Sequence, residues 1–162
     1  MSGPELTEPL AVCSRALNRI FLCGLATLRE NGRTFSRRYN MNMPNPFVHV
    51  ELNTTDLDQA KAFYGKLFDW TLEDTPMSDG TYTLINVGQG TGGGMMKHPV
   101  PGAPSMWLAY VAVDDIHAST EKVKALGGKV ILEVQEIPNV GWFSVIMDPT
   151  GAPLALFKQK AM

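Results

Sequence analysis

The chain has 162 residues, of which 44% are hydrophobic, and its 14 basic and 16 acidic residues leave a net charge of −2. That is enough chain for one globular unit with a real core, and the lack of a long apolar run excludes a helical membrane span. No basic stripe with interleaved aromatic residues follows residue 40, which argues against a nucleic-acid partner.

Residues 1–40 differ in composition from the rest. They hold Arg15, Arg19, Arg29, Arg33, Arg37 and Arg38, both cysteines (Cys13 and Cys23), and a short apolar run from Ile20 to Leu28 broken by Gly24. The run is too short to cross a bilayer, and with Glu5 and Glu8 ahead of it and no small-residue cleavage site behind it, it makes a poor secretory signal. Arg and Ser enrichment would suit an organelle-targeting peptide. The preferred reading is an N-terminal extension from an upstream start codon, poorly ordered or loosely attached, with Met41 or Met43 the effective beginning. The domain is then 41–162. With no cysteine in that part, a disulfide or cysteine-ligated zinc is excluded there, and a reducing, cytoplasmic setting is expected.

From Phe47 to Asn53 the residues alternate, placing Val48, Val50 and Leu52 on one face of a strand and Phe47, His49, Glu51 and Asn53 on the other. Thr54, Thr55 and Asp56 offer capping oxygens, and Leu57, Ala60, Phe63, Tyr64 and Leu67 follow at helical spacing. An offset of 59 sets Asp56 on Asp115, Leu57 on Ile116 and Leu67 on Leu126, and carries Thr91-Gly92 onto Thr150-Gly151. Two distant regions share one register, which predicts a tandem repeat.

After the first helix, Thr71 to Glu73 and Thr81 to Val87 read as a hairpin turning at Met77-Ser78-Asp79-Gly80. Gly90, Gly92, Gly93 and Gly94 crowd the next turn. No Lys-Ser/Thr follows them, so positive φ or a close backbone approach is expected rather than phosphate binding. Met95-Met96 starts a short strand, and VPGAPS reads as a linker. The second half predicts a strand over Trp107–Val113, a helix over Ile116–Leu126, and strands at Val130–Val134, Trp142–Met147 and Leu154–Phe157. The fold class is thus α+β. Two tandem β-α-β-β-β modules, 47–100 and 106–158, form a curled mixed sheet, a cup with its helices outside. Phe63, Trp70 and Trp107 are expected in the helix-to-sheet core.

The segments VHVELNTTDLDQAKAFYGKLF, WLAYVAVDDIHASTEKVKALGG and VIMDPTGAPLALF resemble the vicinal oxygen chelate superfamily of glyoxalases, bleomycin-resistance proteins and extradiol dioxygenases. The resemblance covers about Phe47 to Phe157 and is nearest to small glyoxalase-like proteins without an assigned activity. It implies that each module of a metal-dependent member gives one ligand from its first strand and one from its last. The motif matches put these positions at His49, Met96, Leu108 and Ala155. Of the four, only His49 can bind a hard or borderline divalent ion, so no metal or other cofactor is expected. Glu51, on the same side, could add a carboxylate and keeps a divalent site as an alternative. His98 and His117 read as solvated surface residues. The resemblance also implies that modules can pair within a chain or between chains, which allows a homodimer.

Strand parity puts Glu51, Asn53, Tyr110 and Ala112 on the side of His49 and Leu108. Trp142 and Phe143 cannot both face the cup, and Trp142 is assigned to it. The result is a largely apolar concavity with a few polar groups, the usual makeup of a small-molecule pocket. His49 beside Glu51 reads either as a base tuned by a carboxylate, with Tyr110 donating to a developing oxyanion, or as a buried pair satisfied by its neighbours. Two functions are carried forward. The first is a metal-free protein that binds a small organic ligand through His49, Glu51, Asn53, Met96, Leu108, Tyr110, Trp142 and Ala155. The alternative is a lyase or isomerase of glyoxalase type acting on a small carbonyl compound, with His49, Glu51 and Tyr110 catalytic. An interaction subunit whose cup is vestigial is the blander third reading.

Overall fold

Two aspartates set the plan of the chain. Asp56 and Asp115 both stand in extended backbone ahead of a helix, and the Oδ1 of each accepts a hydrogen bond of 2.9 Å from an N–H in the first turn, Gln59 and Ala118 respectively. The computed structural model describes residues 44–77 and 80–161, together with a two-residue antiparallel pairing of Arg29–Glu30 with Arg33–Thr34. The other expectations for residues 1–40 lie outside the described residues.

In chain order the elements are β1 (Phe47–Thr54), α1 (Leu57–Leu67), β2 (Thr71–Met77), β3 (Gly80–Asn86), β4 (Gly93–Lys97), β5 (Met106–Ala112), α2 (Ile116–Ala125), β6 (Lys129–Ile137), β7 (Gly141–Met147) and β8 (Pro153–Gln159). Strand, helix and three strands thus occur twice, in the predicted order. All eight strands join one open mixed sheet in the order β2-β3-β4-β1-β5-β8-β7-β6. The halves meet where β1 runs antiparallel to β5, and the parallel pairs β1–β4 and β5–β8 flank that seam. The modules therefore pair within the chain.

Strand β2 runs on to Met77, past the predicted Glu73, and contains Pro76; among the described residues it pairs only with β3. A proline is tolerated at such a position because an edge strand need not donate on both sides. At the other end, β6 pairs among the described residues only with β7, and its register shifts between Val130 and Leu132 and again between Leu132 and Gln135.

The two helices lie on one face of the sheet. Under α1 the cluster is Leu52, Ile85 and Met95 with Leu57, Tyr64, Trp70 and Leu72; under α2 it is Ile116, Ile146 and Leu156 with Val123, Val130 and Trp142. Trp142 therefore belongs to the helix side, and its expected place in the cup is corrected. In the β7–β8 ladder Phe143 is paired with Phe157, and directly opposed residues share a face. Phe157 faces inward, so Phe143 does too, and Trp142 points the other way, with the Lys160 ammonium 5.6 Å from its ring centre. A single register step decides which of two adjacent aromatics is inside.

Val48 is a second correction, since alternation put it on the helix side with Leu52. It lies in the inner cluster, because the β1–β5 pairing slips between Phe47 and His49. Phe63 and Trp107, expected in the core, are exposed.

Helix α2 is tied down by two buried hydroxyls. Thr120 Oγ1 donates to the Ile116 carbonyl at 2.7 Å and lies 2.9 Å from Ser144 Oγ, so its one proton is spent and Ser144 is the donor between them. Thr120→Val is expected to cost about 1–2 kcal/mol by leaving the Ser144 hydroxyl buried without that acceptor. Thr120→Val combined with Ser144→Ala should recover part of the loss in urea unfolding, because no buried hydroxyl is then stranded; strictly additive losses would contradict the pairing.

Asp148 of the DPTG motif has a structural task. Its Oδ1 accepts from Thr150 Oγ1, Thr150 N and Ala152 N at 2.7, 2.8 and 2.9 Å. The Thr150 hydroxyl foremost, then these amides, hold its carboxyl below the usual aspartate value. The motif shapes the turn into β8.

Candidate ligand site on the inner face of the sheet

The face turned away from the helices carries one continuous buried cluster: Val48, Tyr82, Met96, Leu108, Tyr110, Ile137, Val140, Phe143, Ala155 and Phe157. Every strand except β2 contributes to it directly, Val140 joins from the turn before β7, and β2 adds the partly buried Met77. Into this apolar surface β1 projects three polar side chains at alternate positions, His49, Glu51 and Asn53, which are only 6%, 3% and 6% exposed.

Glu51 is the centre of the group. Its Oε2 accepts from Tyr82 Oη at 3.1 Å; its Oε1 accepts from Tyr110 Oη at 3.2 Å and from Asn53 Nδ2 at 3.3 Å. His49 joins through Tyr82, its Nε2 lying 2.9 Å from the phenol oxygen. A phenol has one proton. If Tyr82 gives it to Glu51, His49 must donate its Nε2–H to Tyr82, and the imidazole lone pair sits on Nδ1. The Tyr110 ring also meets the His49 ring edge-on, with centroids 5.4 Å apart. The direct His49–Glu51 contact considered from the spacing along a strand is here a bridge through a phenol.

Burial moves both titrating groups toward their neutral forms. It lowers His49 from 6.5 to about 4. It raises the Glu51 carboxyl, against the opposing pull of hydrogen bonds from Tyr82, Asn53 and Tyr110. The inner face thus offers hydrogen-bonding groups with little fixed charge.

The structure brings His49, Glu51, Asn53, Met96, Leu108, Tyr110 and Ala155 onto this face, and it excludes Trp142. Cross-strand pairing does the assembly: His49 is opposite Tyr110, Glu51 is opposite Leu108, and Ala155 is level with Tyr110 in the parallel β5–β8 pair. Tyr82 and Phe143 are the residues the sequence reading missed. A signal for Tyr82 was present in the glycine run. A Cβ on Gly94 would overlap the Tyr82 phenol, so that glycine is the slot in which the ring lies. Gly93 likewise lets β4 approach the Val50 carbonyl, whereas Gly88 and Gly90 have positive φ. Both uses expected of these glycines occur.

Among the described residues no group of three or more His, Cys, Asp or Glu side chains converges. At the four positions that the resemblance singles out, Met96, Leu108 and Ala155 accompany His49, and both Glu51 oxygens already accept hydrogen bonds. His98 accepts the Val100 amide on its Nδ1 in a loop, and His117 is exposed on α2.

An open eight-stranded sheet with helices on one face and a polar cluster on the other defines a glyoxalase-type fold. The chain belongs to the Glyoxalase/Bleomycin resistance protein/Dioxygenase superfamily, whose sequence pattern matches residues 47–156. It is 38% identical over 119 residues to "Putative glyoxylase CFP32" of Mycobacterium tuberculosis, a match covering 73% of this chain and 46% of that protein. It is 29% identical over 136 residues to the anthracycline biosynthesis protein DnrV of Streptomyces peucetius, covering 74% of this chain and 49% of the relative. The chain thus spans about half the length of these curated relatives. Among solved structures, methylmalonyl-CoA epimerase from Mycobacterium tuberculosis superposes with a TM-score of 0.54 at 17% identity, covering 71% of this chain and 88% of the epimerase. A hypothetical protein of Bacillus halodurans gives 0.58 at 12%, covering 74% and 98%. At these identities the likeness is one of fold.

Proposed function

We propose that this protein binds an uncharged small organic molecule against the inner face of the sheet, without a metal ion. The observation that carries this reading is the Glu51 cluster: five polar side chains linked by hydrogen bonds in the middle of an otherwise apolar surface. Convergent polar groups with perturbed pKa values in an apolar setting are the usual mark of a ligand site. The ligand is uncharged because a buried ion here would find neither a protonated His49 nor water to balance it. Tyr110 and Tyr82 give their single protons to Glu51 and serve a ligand's carbonyl or hydroxyl oxygen by redirecting them, and Met96, Leu108, Phe143 and Ala155 give the apolar contact. Nucleic acid and membrane are not partners in this reading, and the setting is cytoplasmic. Among the described residues no helix is long and apolar enough to cross a membrane.

A second reading is favoured by one observation. The neutral His49 imidazole and the Glu51 carboxyl are joined through a single phenol, an arrangement able to move a proton. On it the protein would be a lyase or isomerase acting on a small carbonyl compound, with His49 the base.

The two readings separate in one experiment. A panel of neutral carbonyl and aromatic compounds is screened by thermal shift on the full chain prepared without chelator, and hits are titrated by calorimetry. Saturable binding is expected, weakened about 10-fold by Tyr110→Phe, the loss for one hydrogen bond, and insensitive to a chelator. Turnover abolished by His49→Ala would establish the second reading. Near-stoichiometric divalent metal with chelator-sensitive binding would sink the metal-free site.

A further inference from the structure

The two halves of the fold treat their helices differently. Helix α2 buries Ile116 and Thr120, whereas α1 buries no residue. Phe63, Leu67, Phe68 and Trp107 are 59%, 55%, 42% and 39% exposed. The Tyr64 ring joins the aromatic members into one patch, its centroid 5.0 Å from that of Phe63, 6.3 Å from Phe68 and 5.5 Å from Trp107. Beside them lies an apolar cleft of about 250 Å³, lined by Val50, Trp70, Ile85, Val87, Trp107 and the turn Thr91–Gly93. The second half is an internal control. At the offset of 59, Phe63, Phe68 and Trp70 fall on Lys122, Gly127 and Lys129, so the fold does not itself require aromatics there.

The first half also differs in the chain that leads into it. That chain enters β1 at the rim of the cleft: Thr91 Oγ1 donates to the Phe47 carbonyl at 3.2 Å, and Thr91 is part of the cleft wall. The second half is entered only through the short connection from Lys97 to Met106. The chain ahead of β1 contains the apolar run from Ile20 to Leu28, with Phe21, Leu22 and Leu25 inside it and Arg19 and Arg29 bracketing it. Residues 1–40 carry a net charge of +3 against −5 for the remainder, and Asp69 and Glu73 stand exposed on either side of Trp70 in the chain. Reach is ample. Residues 35–45, fully extended, span up to about 36 Å, whereas α1, with 11 residues, is about 16 Å long.

We infer that the apolar run at residues 20–28 docks on the α1 aromatic patch of its own chain, its large side chains covering Phe63 and Phe68 and one of them seated in the Trp70/Trp107 cleft. Two apolar surfaces in one chain gain by leaving water together, in proportion to the area each covers on the other. The tether favours this occupant over any free partner, because a linked segment is present at an effective concentration on the order of millimolar. The bracketing arginines add an attraction to the acidic remainder that salt weakens. Residues 20–28 are then part of the fold, in place of a loose extension, and the half that carries the extra aromatics is the half that the segment enters.

The chain's only two cysteines supply the test, since Cys23 lies inside the run and Cys13 outside it. The full chain is reduced, freed of reductant and pulsed with N-ethylmaleimide; modification of each thiol is followed by mass spectrometry and normalised to its rate in concentrated urea. Cys23 is expected to react about 10-fold more slowly than Cys13, as for a docked segment that opens locally. Phe63→Lys, which installs the side chain found at the matching position 122, should bring the two rates together, whereas Ile131→Lys, exposed in the other half, should leave the difference intact. From the other side of the contact, Leu22→Asp with Leu25→Asp should speed hydrogen exchange of residues 57–68 about 10-fold and leave residues 116–125 unchanged. Equal cysteine rates in the unaltered chain, or exchange at 57–68 indifferent to the Leu22 and Leu25 changes, would each overturn the inference. Protection that appears only as protein concentration rises would do the same and make the occupant a second copy. Saturation of the cleft by a small apolar dye with the Cys23 rate unmoved would also overturn it, and would make the cleft a ligand site.

Discussion

Gly94→Ala is expected to destabilise the protein by about 3–5 kcal/mol and to dismantle the inner-face cluster. Gly94 lies between Glu51 on β1 and Leu84 on β3 in the sheet register, and the Tyr82 ring crosses it. A methyl group there would occupy the space of the phenol, so the ring must leave or the strands must part. Overpacking of a core typically costs about 1–3 kcal/mol, and leaving a buried hydrogen-bonding group without its partner about 1–3. Here both apply, because the displaced phenol is also the link between His49 and Glu51. Urea unfolding should show the loss. Gly94→Ala combined with Tyr82→Ala should be less damaging than the sum of the two, since the smaller side chain vacates the slot. Wild-type stability of Gly94→Ala would mean that the ring does not lie where it is described.

Acidification from pH 6.5 to about 4 is expected to remove about 3 kcal/mol of stability through His49 alone. Its folded pKa is lowered by burial to about 4 against 6.5 unfolded. Across that window the unfolded chain binds a proton that the folded chain refuses, so stability is complete above pH 6.5 and falls with pH, at about 1.4 kcal/mol per unit. Glu51 works the other way. Its raised carboxyl takes a proton in the folded state first, so its burial becomes less unfavourable as pH falls toward the ordinary value of 4.5. The wild-type curve mixes the two. The difference between wild type and His49→Gln isolates the first, and it should shrink steadily between pH 6.5 and 4.5 in equilibrium unfolding. A difference that stays flat over that range would show that His49 is not held neutral.

The inner-face cluster turns on features that are readable from the chain to different degrees. The repeated strand-Asp-helix unit was legible because caps and helical periodicity are local: Asp56 and Asp115 do in the structure what their side chains predict. His49, Glu51, Asn53 and Tyr110 were legible as one group because alternation along a strand fixes the face and the offset between halves fixes which strands correspond. Two errors came from the same rule. Alternation cannot show where a ladder slips, so Val48 was misplaced by the break beside it, and it cannot choose between adjacent aromatics, so Trp142 was taken for Phe143. Tyr82 was missed because the sign of its place, Gly94, stands in the next strand and says nothing by itself about which ring fills the slot. Phe63 and Trp107 were assigned to the core on hydrophobicity alone, which does not say whether a side chain ends up covered.

Pro76 and the broken register of β6 have a consequence for how this protein can fail. An open sheet ends in rows of unpaired backbone groups that can recruit further strands without limit, the route to fibrils. In this sheet the outermost strand at one end includes a residue with no N–H to give. At the other, β6 is twice out of step with its neighbour, which spoils the flat template an incoming strand needs. Growth is hindered at both ends, so partly unfolded chains under stress are expected to form amorphous deposits rather than ordered filaments.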